Sequence, residues 1–325
     1  MTFRAYRVEE QADGFARGIK EVGFDTLPEA EVTVKVAYSS LNYKDALSAT
    51  GNKGVTRSYP HTPGVDAAGV VSASQDERFN EGDEVVVTSY DLGMNTPGGF
   101  GEYIRVPAAW VVPLPAGLTL YEAMALGTAG LTAALCVDAL EHQGINRAPV
   151  LVTGASGGVG SVAVALLSKA GYEVTASTGS ASAHDLLKSL GAMHIVDRSE
   201  LSEPVKGPFT KSVYSGAVDT VGGDTLTNII KTLQPHASVA ACGLVGGAEL
   251  DLTVYPFILR GVSLLGIDSP NCEMDKRKSM WQRLANEWKL DLSALTSEIT
   301  LDELDGAIDA ILKGETQGRI VVKLA

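Results

Sequence analysis

The stretch VLVTGASGGVGSVAVALLSKAGYEVTAST, Val150 to Thr178, decides the fold. It opens on the apolar run Val150, Leu151 and Val152 and reaches a corner where Gly154, Gly157, Gly158 and Gly160 crowd into one short turn. A helical pattern from Gly158 to Ala170 and a second strand pattern from Glu173 to Ser177 follow. Glycines here permit the tight turn and let the backbone approach a pyrophosphate, while the unpaired N–H groups and dipole of the helix start attract the anion. Strand, glycine corner, helix and strand in that order point to a dinucleotide, with Ser156, Gly157, Gly158 and Val159 around the pyrophosphate. The glycines alone would equally suit a packed strand–helix corner.

The end of the second strand selects the dinucleotide. An NAD site usually places Asp or Glu there to take the ribose hydroxyls. This strand ends Ser177-Thr178-Gly179-Ser180, and no acid follows until Asp185. Nothing there repels a 2′-phosphate, and Ser177, Thr178 and Ser180 can donate to it. Arg198, just beyond the third strand, is the expected cation, with Lys188 a weaker candidate; a solvated surface charge is the other reading of Arg198. The expected cofactor is NADPH rather than NADH.

Outward from this unit the texture changes twice. From Phe3 to about Pro115 the segments are short and β-branched, as in Val32 to Tyr38 and Glu84 to Thr88, with Gly and Pro between them. That pattern predicts an antiparallel, partly closed β-domain. From Leu120 onward helix and strand alternate: a helix near Thr119 to Glu141, the Val150 to Ser177 unit, and a helix at Ala183 to Leu190. Strands at His194 to Val196 and Ala217 to Thr220, a helix at Asp224 to Leu233, and strands at Ser238 to Cys242 and Ser263 to Gly266 complete the series. Repeated β-α units predict a parallel, doubly wound sheet. The tail after Asp268 reads as helical and closes with a strand, Gly318 to Leu324, able to return to the first domain. The expected division is 1–120, 121–267 and 268–325.

Composition narrows the partners. With 325 residues, 45 % hydrophobic and 20 % charged, the chain should fold into about two domains. A net charge of -13 argues against nucleic acid and anionic membrane surfaces. The N-terminal MTFRAYRVEEQ lacks the apolar core of a signal peptide, and neither export nor a membrane span is expected. A cytoplasmic protein with a small-molecule partner is expected. Cys136, Cys242 and Cys272 lie far apart, which suits three reduced thiols rather than a disulfide framework or zinc site.

Five stretches carry a family resemblance: SSLNYKDALSATG at 39 to 51, PHTPGVDAAGVV at 60 to 71, GDEVVVTSYDLGMNTPGGFGEYIRVP at 82 to 107, LGTAGLTAAL at 126 to 135 and PFILRGVSLLGIDS at 256 to 269. Together they resemble the medium-chain dehydrogenase/reductase superfamily, and more narrowly its zinc-free, quinone oxidoreductase-like branch, which includes bacterial NADPH-dependent acrylyl-CoA reductases. The resemblance implies an α/β chain: a GroES-like, β-rich catalytic domain and a Rossmann domain with a doubly wound parallel sheet. Zinc-dependent relatives carry a Cys ligand, a Gly-His-Glu motif and a four-cysteine lobe. Here the matching places read Asn42-Tyr43-Lys44-Asp45 and Gly64-Val65-Asp66, with no such lobe, so no metal is expected. His61, one histidine beside a proline, is read as a surface or packing residue.

Without a Lewis acid, the implied reaction is NADPH-dependent reduction of an activated C=C bond, most concretely acrylyl-CoA to propionyl-CoA. A quinone or broad enone reductase, and a non-catalytic NADPH-binding sensor, remain the alternatives. The resemblance puts Tyr43 at the nicotinamide, as positioner or proton donor, with Asn42 as polar support and Asp45 and Asp66 orienting them or relaying protons. A stacking wall for Tyr43 and a backbone-satisfied turn carboxylate for Asp66 are the plainer readings. Thr128 is expected to face the cofactor, Leu244, Ile258 and Ser269 to border its nicotinamide half, and Arg319 to reach it from the tail or sit in a rim salt bridge. Leu244 and Ile258 could instead be plain core. The edge strand Ser263 to Ile267 is expected to join two subunits into a homodimer, with a shielded monomer as the alternative.

Overall fold

The computed structural model describes residues 1–145, 148–203 and 205–324. It divides into two compact units. The first comprises Met1–Thr128, Pro270–Asn286 and Thr296–Ala325, the second Ala129–Ser269 and Glu287–Leu295. The boundaries therefore fall at 128/129 and 269/270 rather than at 120/121 and 267/268. The segment 287–295, expected with the tail's return to the first domain, joins the second unit; it carries the buried apolar side chains Trp288, Leu292 and Leu295.

In the first unit a seven-stranded sheet runs in the order Thr296–Thr300, Arg319–Lys323, Val32–Leu41, Asp66–Ser74, Glu84–Thr88 and Val111–Pro113, with Tyr103–Val106 also pairing Val32–Leu41. Every pairing is antiparallel except the first. The β-branched runs bury Val34, Val36, Val85, Val87 and Ile104 against Leu301, Leu304 and Ile308 of the tail. The C-terminal strand returns as expected, Ile320 opposite Leu41 and Lys323 opposite Tyr38. The strand Thr296–Thr300 was not foreseen, nor was the seven-residue helix Tyr43–Ala49, which lies in the stretch read as short strands and turns.

In the second unit six parallel strands lie in the order His194–Asp197, Val174–Thr178, Val150–Val152, Tyr214–Asp219, Leu233–Ala241 and Ser263–Gly266. This is the doubly wound order in which ligands bind outside the carboxyl ends of the strands where the winding reverses. The reversal falls between Val150–Val152 and Tyr214–Asp219. Their ends are tied together: Thr153 Oγ1 donates to Asp219 Oδ1 (2.6 Å), and Thr220 Oγ1 donates to the Thr153 carbonyl (3.0 Å). The strand expected at Ser238 begins five residues earlier, and short helices at Ser199–Ser202 and Tyr255–Arg260 appear where none was expected.

The helix Leu120–His142 is the one described helix long and apolar enough to cross a membrane. Of its most apolar window 89 % is buried within the protein, as in a core helix. Its backbone breaks at Gly127, where φ is 54° and ψ -154°.

Candidate active site

The glycine corner of the second unit has the form a pyrophosphate requires. The helix Gly158–Lys169 starts from Gly157, which gives no side-chain cap. The first-turn N–H groups of Gly158, Val159 and Gly160 therefore face outward from the helix start, as the first donors of any helix do. A Cβ on Gly160 would collide with the Gly154 carbonyl, so the helix packs on the strand only because this position has no side chain. The Ala155 N–H donates to Ser177 O at 3.1 Å, fixing the corner to the second strand.

At the end of that strand Thr178 Oγ1 lies 3.1 Å from Ser156 Oγ and accepts the Ser180 N–H at 3.1 Å. Ser177 and Thr178 belong to the strand itself and are buried, so of the three expected hydroxyls only that of Ser180 is partly exposed. Ser180 Oγ pairs with Ser182 Oγ at 2.9 Å. Arg198 is brought to this place. Its N–H donates to Thr178 O (3.1 Å), and its side chain lies so close over Gly179 that a Cβ there would meet Nε, with Cδ 2.7 Å away. Gly179, expected with Ser177, Thr178 and Ser180 among the cofactor-binding residues, is thus the floor under an exposed guanidinium. Lys188 sits in the last turn of His184–Ser189, where a cation suits the helix dipole.

Leu244 and Ile258 are each 68 % exposed, which removes the plain-core reading of both. Ser269 is buried, and its hydroxyl accepts Thr132 Oγ1 at 2.7 Å. Cys136, Cys242 and Cys272 are all free thiols. Cys136 is fully buried; a hydrogen bond with Cys242, then burial, raises its pKa.

In the first unit the residues Asn42, Asp45, Asp66, Thr128 and Arg319, spread over 277 positions of sequence, converge on one buried polar cluster. Asp66 Oδ1 accepts the Thr128 hydroxyl (2.6 Å) and N–H (2.9 Å). Its Oδ2 accepts Ser40 Oγ (2.6 Å) and Asn42 Nδ2 (2.8 Å). Because Thr128 gives its hydroxyl proton to Asp66, Ser89 Oγ, 2.7 Å from Thr128 Oγ1, is the donor in that contact. Asp45 Oδ2 accepts the Asn42 N–H (2.8 Å) and Nδ2 (3.2 Å), and Oδ1 accepts the Val65 N–H (2.8 Å). Burial, and then the neighbouring Asp66 carboxylate, push the Asp45 carboxyl up to about 7 against these stabilising bonds.

Arg319 does not match either expectation for it. It is 2 % exposed and donates from Nε to Ala125 O (3.0 Å), from Nη1 to Asn42 Oδ1 (3.2 Å) and from Nη2 to Ser40 Oγ (2.8 Å). A guanidinium turned inward onto three acceptors neither reaches a cofactor nor sits in a rim salt bridge. Burial lowers its pKa, opposed by Asp66 and Asp45.

Gly127 explains the geometry of this cluster. By breaking the helix it strands the Ala125 carbonyl on one side and the Thr128 N–H on the other. Arg319 satisfies the first and Asp66 the second. A Cβ at Gly127 would lie 2.6 Å from both Asp66 Oδ2 and Ser40 Oγ. Ser40 was missed in the sequence because a serine inside a strand carries no motif.

Asn42 is the residue before the helix Tyr43–Ala49, and Asp45 takes its N–H in a capping arrangement. Its amide hydrogens all point to internal acceptors. Tyr43, the first helical residue, is 43 % exposed, and its hydroxyl has no hydrogen-bond partner among the described residues. His61 is 4 % exposed and packs edge-on to Tyr59. Among the described residues no group of three or more His, Cys, Asp or Glu is placed to hold a metal ion.

A parallel sheet wound about a glycine corner, in one chain with a strand-rich unit bearing a buried carboxylate cluster, defines a nucleotide-dependent dehydrogenase or reductase. Family models agree: an alcohol dehydrogenase GroES-like domain matches residues 28–116 and a zinc-binding dehydrogenase domain matches 158–286. An acrylyl-CoA reductase of Ruegeria pomeroyi is 48 % identical over 97 % of this chain and 96 % of its own. A putative quinone oxidoreductase of Bacillus subtilis is 48 % identical over 99 % of both chains, and a Bacillus subtilis structure with NAD bound, also 48 % identical, superposes with a TM-score of 0.96 over the whole of both. An oxidoreductase of Salmonella enterica, solved in complex with NADP, is 45 % identical with a TM-score of 0.96 over 99 % of this chain and all of its own. The chain belongs to the medium-chain dehydrogenase/reductase superfamily, in its acrylyl-CoA reductase branch.

Proposed function

We propose that this chain reduces an activated C=C bond with NADPH, most concretely acrylyl-CoA to propionyl-CoA. The observation that carries the reading is Arg198 lying over Gly179 at a strand end that has no acid: a cation where a 2′-phosphate belongs and no carboxylate to hold an unphosphorylated ribose. The Salmonella relative with NADP and the Ruegeria acrylyl-CoA reductase support cofactor and acceptor.

When bound, NADPH supplies the hydride, which an enoyl thioester is already activated to accept at its β-carbon. Ser156, Gly157, Gly158 and Val159 hold the pyrophosphate through main-chain N–H groups, and Ser180 and Arg198 hold the 2′-phosphate. Leu244 and Ile258, exposed and apolar, give the nicotinamide half a dry surface. Tyr43 has the uncommitted hydroxyl able to donate to developing charge on the thioester oxygen or to pass a proton. Asn42, Asp45, Asp66 and Thr128 fix the helix start that carries Tyr43.

The Bacillus relative's description favours a second acceptor, a quinone. We further propose a cytoplasmic homodimer joined at the edge strand Ser263–Gly266. That strand ends the sheet, with Leu264 37 % exposed and Val254 and Leu259 exposed nearby in sequence.

Turnover of acrylyl-CoA, crotonyl-CoA, free acrylate and a simple quinone, each with NADPH and with NADH, tests acceptor and cofactor together. The reading expects NADPH with acrylyl-CoA to be fastest. Binding of NADPH without oxidation by any acceptor would favour a sensor instead. Tyr43→Phe in the same panel should lower kcat; unchanged turnover would remove Tyr43 from the chemistry.

A further inference from the structure

Asp66 and Arg319 are both almost wholly buried, yet no salt bridge joins them among the described residues. Two neutral groups stand between the charges instead. Arg319 Nη2 donates to Ser40 Oγ, which donates to Asp66 Oδ2; in parallel, Arg319 Nη1 donates to Asn42 Oδ1, while Asn42 Nδ2 donates to the same Asp66 oxygen.

We propose that Arg319 and Ser40 are positioning residues that lock the Asn42 amide in one orientation and so fix the start of the helix bearing Tyr43. The cation faces the amide oxygen and the carboxylate faces the amide nitrogen, so the flipped amide would place its oxygen against Asp66 and Asp45 and its NH₂ against Arg319. Both contacts would then be repulsive in a buried setting, where unmet polar groups cost most. Ser40 closes the second arm of the same ring and satisfies the guanidinium nitrogen that Asn42 does not reach. The main chain of Asn42 is held independently by Asp45, so side chain and backbone of the residue preceding Tyr43 are both fixed.

A lysine at 319 would bring the charge without the planar fork, and one ammonium cannot reach Ala125 O, Asn42 Oδ1 and Ser40 Oγ in their present arrangement. The inference rests on the reductase reading for its kinetic arm only. In that arm, Arg319→Lys and Ser40→Ala are each compared with the wild type for NADPH affinity and for kcat and KM. Positioning predicts an NADPH Kd within about twofold of wild type, because neither residue touches the cofactor, and a kcat lowered tenfold or more for Arg319→Lys. Folded variants with unchanged kcat would overturn it.

The second arm does not depend on turnover. Melting temperatures of Arg319→Lys, Asn42→Ala and the double variant should be strongly non-additive, the second substitution costing little once the first is made. Additive losses would overturn the proposal whatever the enzyme reduces. A wild type inactive with every acceptor in the panel, beside non-additive melts, would instead sink the reductase reading and leave the lock standing.

Discussion

Gly127→Ala is the sharpest test of the buried cluster. At φ 54° and ψ -154° the position lies in a region that residues with a Cβ occupy at about 1–3 kcal/mol. The added Cβ would also sit 2.6 Å from Asp66 Oδ2 and from Ser40 Oγ and 3.0 Å from Arg319 Nη2. None of the three is a flexible surface tip. To make room, Asp66 must surrender bonds from Ser40 and Asn42 to a charged oxygen, each worth ~1.5–3 kcal/mol. Strain and two such bonds give a loss of roughly 4–9 kcal/mol, a large share of the ~5–15 kcal/mol that holds a folded domain together. At ~2–4 °C per kcal/mol this is a fall in Tm of at least about 8 °C. Gly144→Ala is the control, since its φ of 66° is similarly left-handed but nothing lies within 4 Å of the added Cβ; it should lose only the conformational part. Calorimetric melts of the three chains measure both. Should Gly127→Ala melt within about 2 °C of the wild type, the account of a cluster packed tightly around the helix break is wrong.

Other outcomes follow from the same geometry. Gly160→Ala, whose Cβ collides with the Gly154 carbonyl, should weaken NADPH binding at least tenfold in titration calorimetry, because helix and strand must part where the pyrophosphate sits. The Asp45 carboxyl is held at about 7 in the fold against its usual 3.8. Between those pH values the folded state keeps a proton that the unfolded chain gives up, so this group's contribution falls as pH rises, by ~1.4 kcal/mol per pH unit and ~4 kcal/mol in all. The difference in urea unfolding between wild type and Asp45→Asn should therefore shift steadily from pH 4 to 7 and level off above it. His61 has the opposite sign. Burial lowers its pKa below the usual 6.5, so the fold is destabilised as pH falls through that value, and His61→Phe should flatten this acid limb in the same denaturation series.

The Rossmann half was legible because its signals are local. Val150 to Thr178 carries strand, corner, helix and strand within one window, and six of six parallel strands were placed, the fifth with a late start because Leu233 to Ala237 includes Pro235 and His236. The carboxylate cluster was legible only as a roll of residues, since its logic depends on a broken helix that periodicity reads as continuous. Leu126-Gly127-Thr128 looks like an unremarkable turn of an apolar helix, and nothing in it reveals that Gly127 turns Thr128 toward Asp66. Arg319 was misread for the same reason: an arginine opening a terminal strand gives no hint that the strand runs beside Leu41 and carries the guanidinium to Ser40 and Asn42. The helix Tyr43–Ala49 escaped because its start signal is one Asp three residues after Asn42, with a single turn and a half to follow.

The claim on which the rest depends is that Arg198, resting on Gly179, receives the 2′-phosphate of the cofactor. Titration calorimetry of NADPH and NADH against the wild type and Arg198→Ala tests it directly. The account predicts that the wild type binds NADPH at least tenfold more tightly than NADH, and that Arg198→Ala loses most of that preference through weaker NADPH binding with NADH affinity unchanged. Equal affinities in the wild type, or an Arg198→Ala variant that keeps its preference, would contradict it.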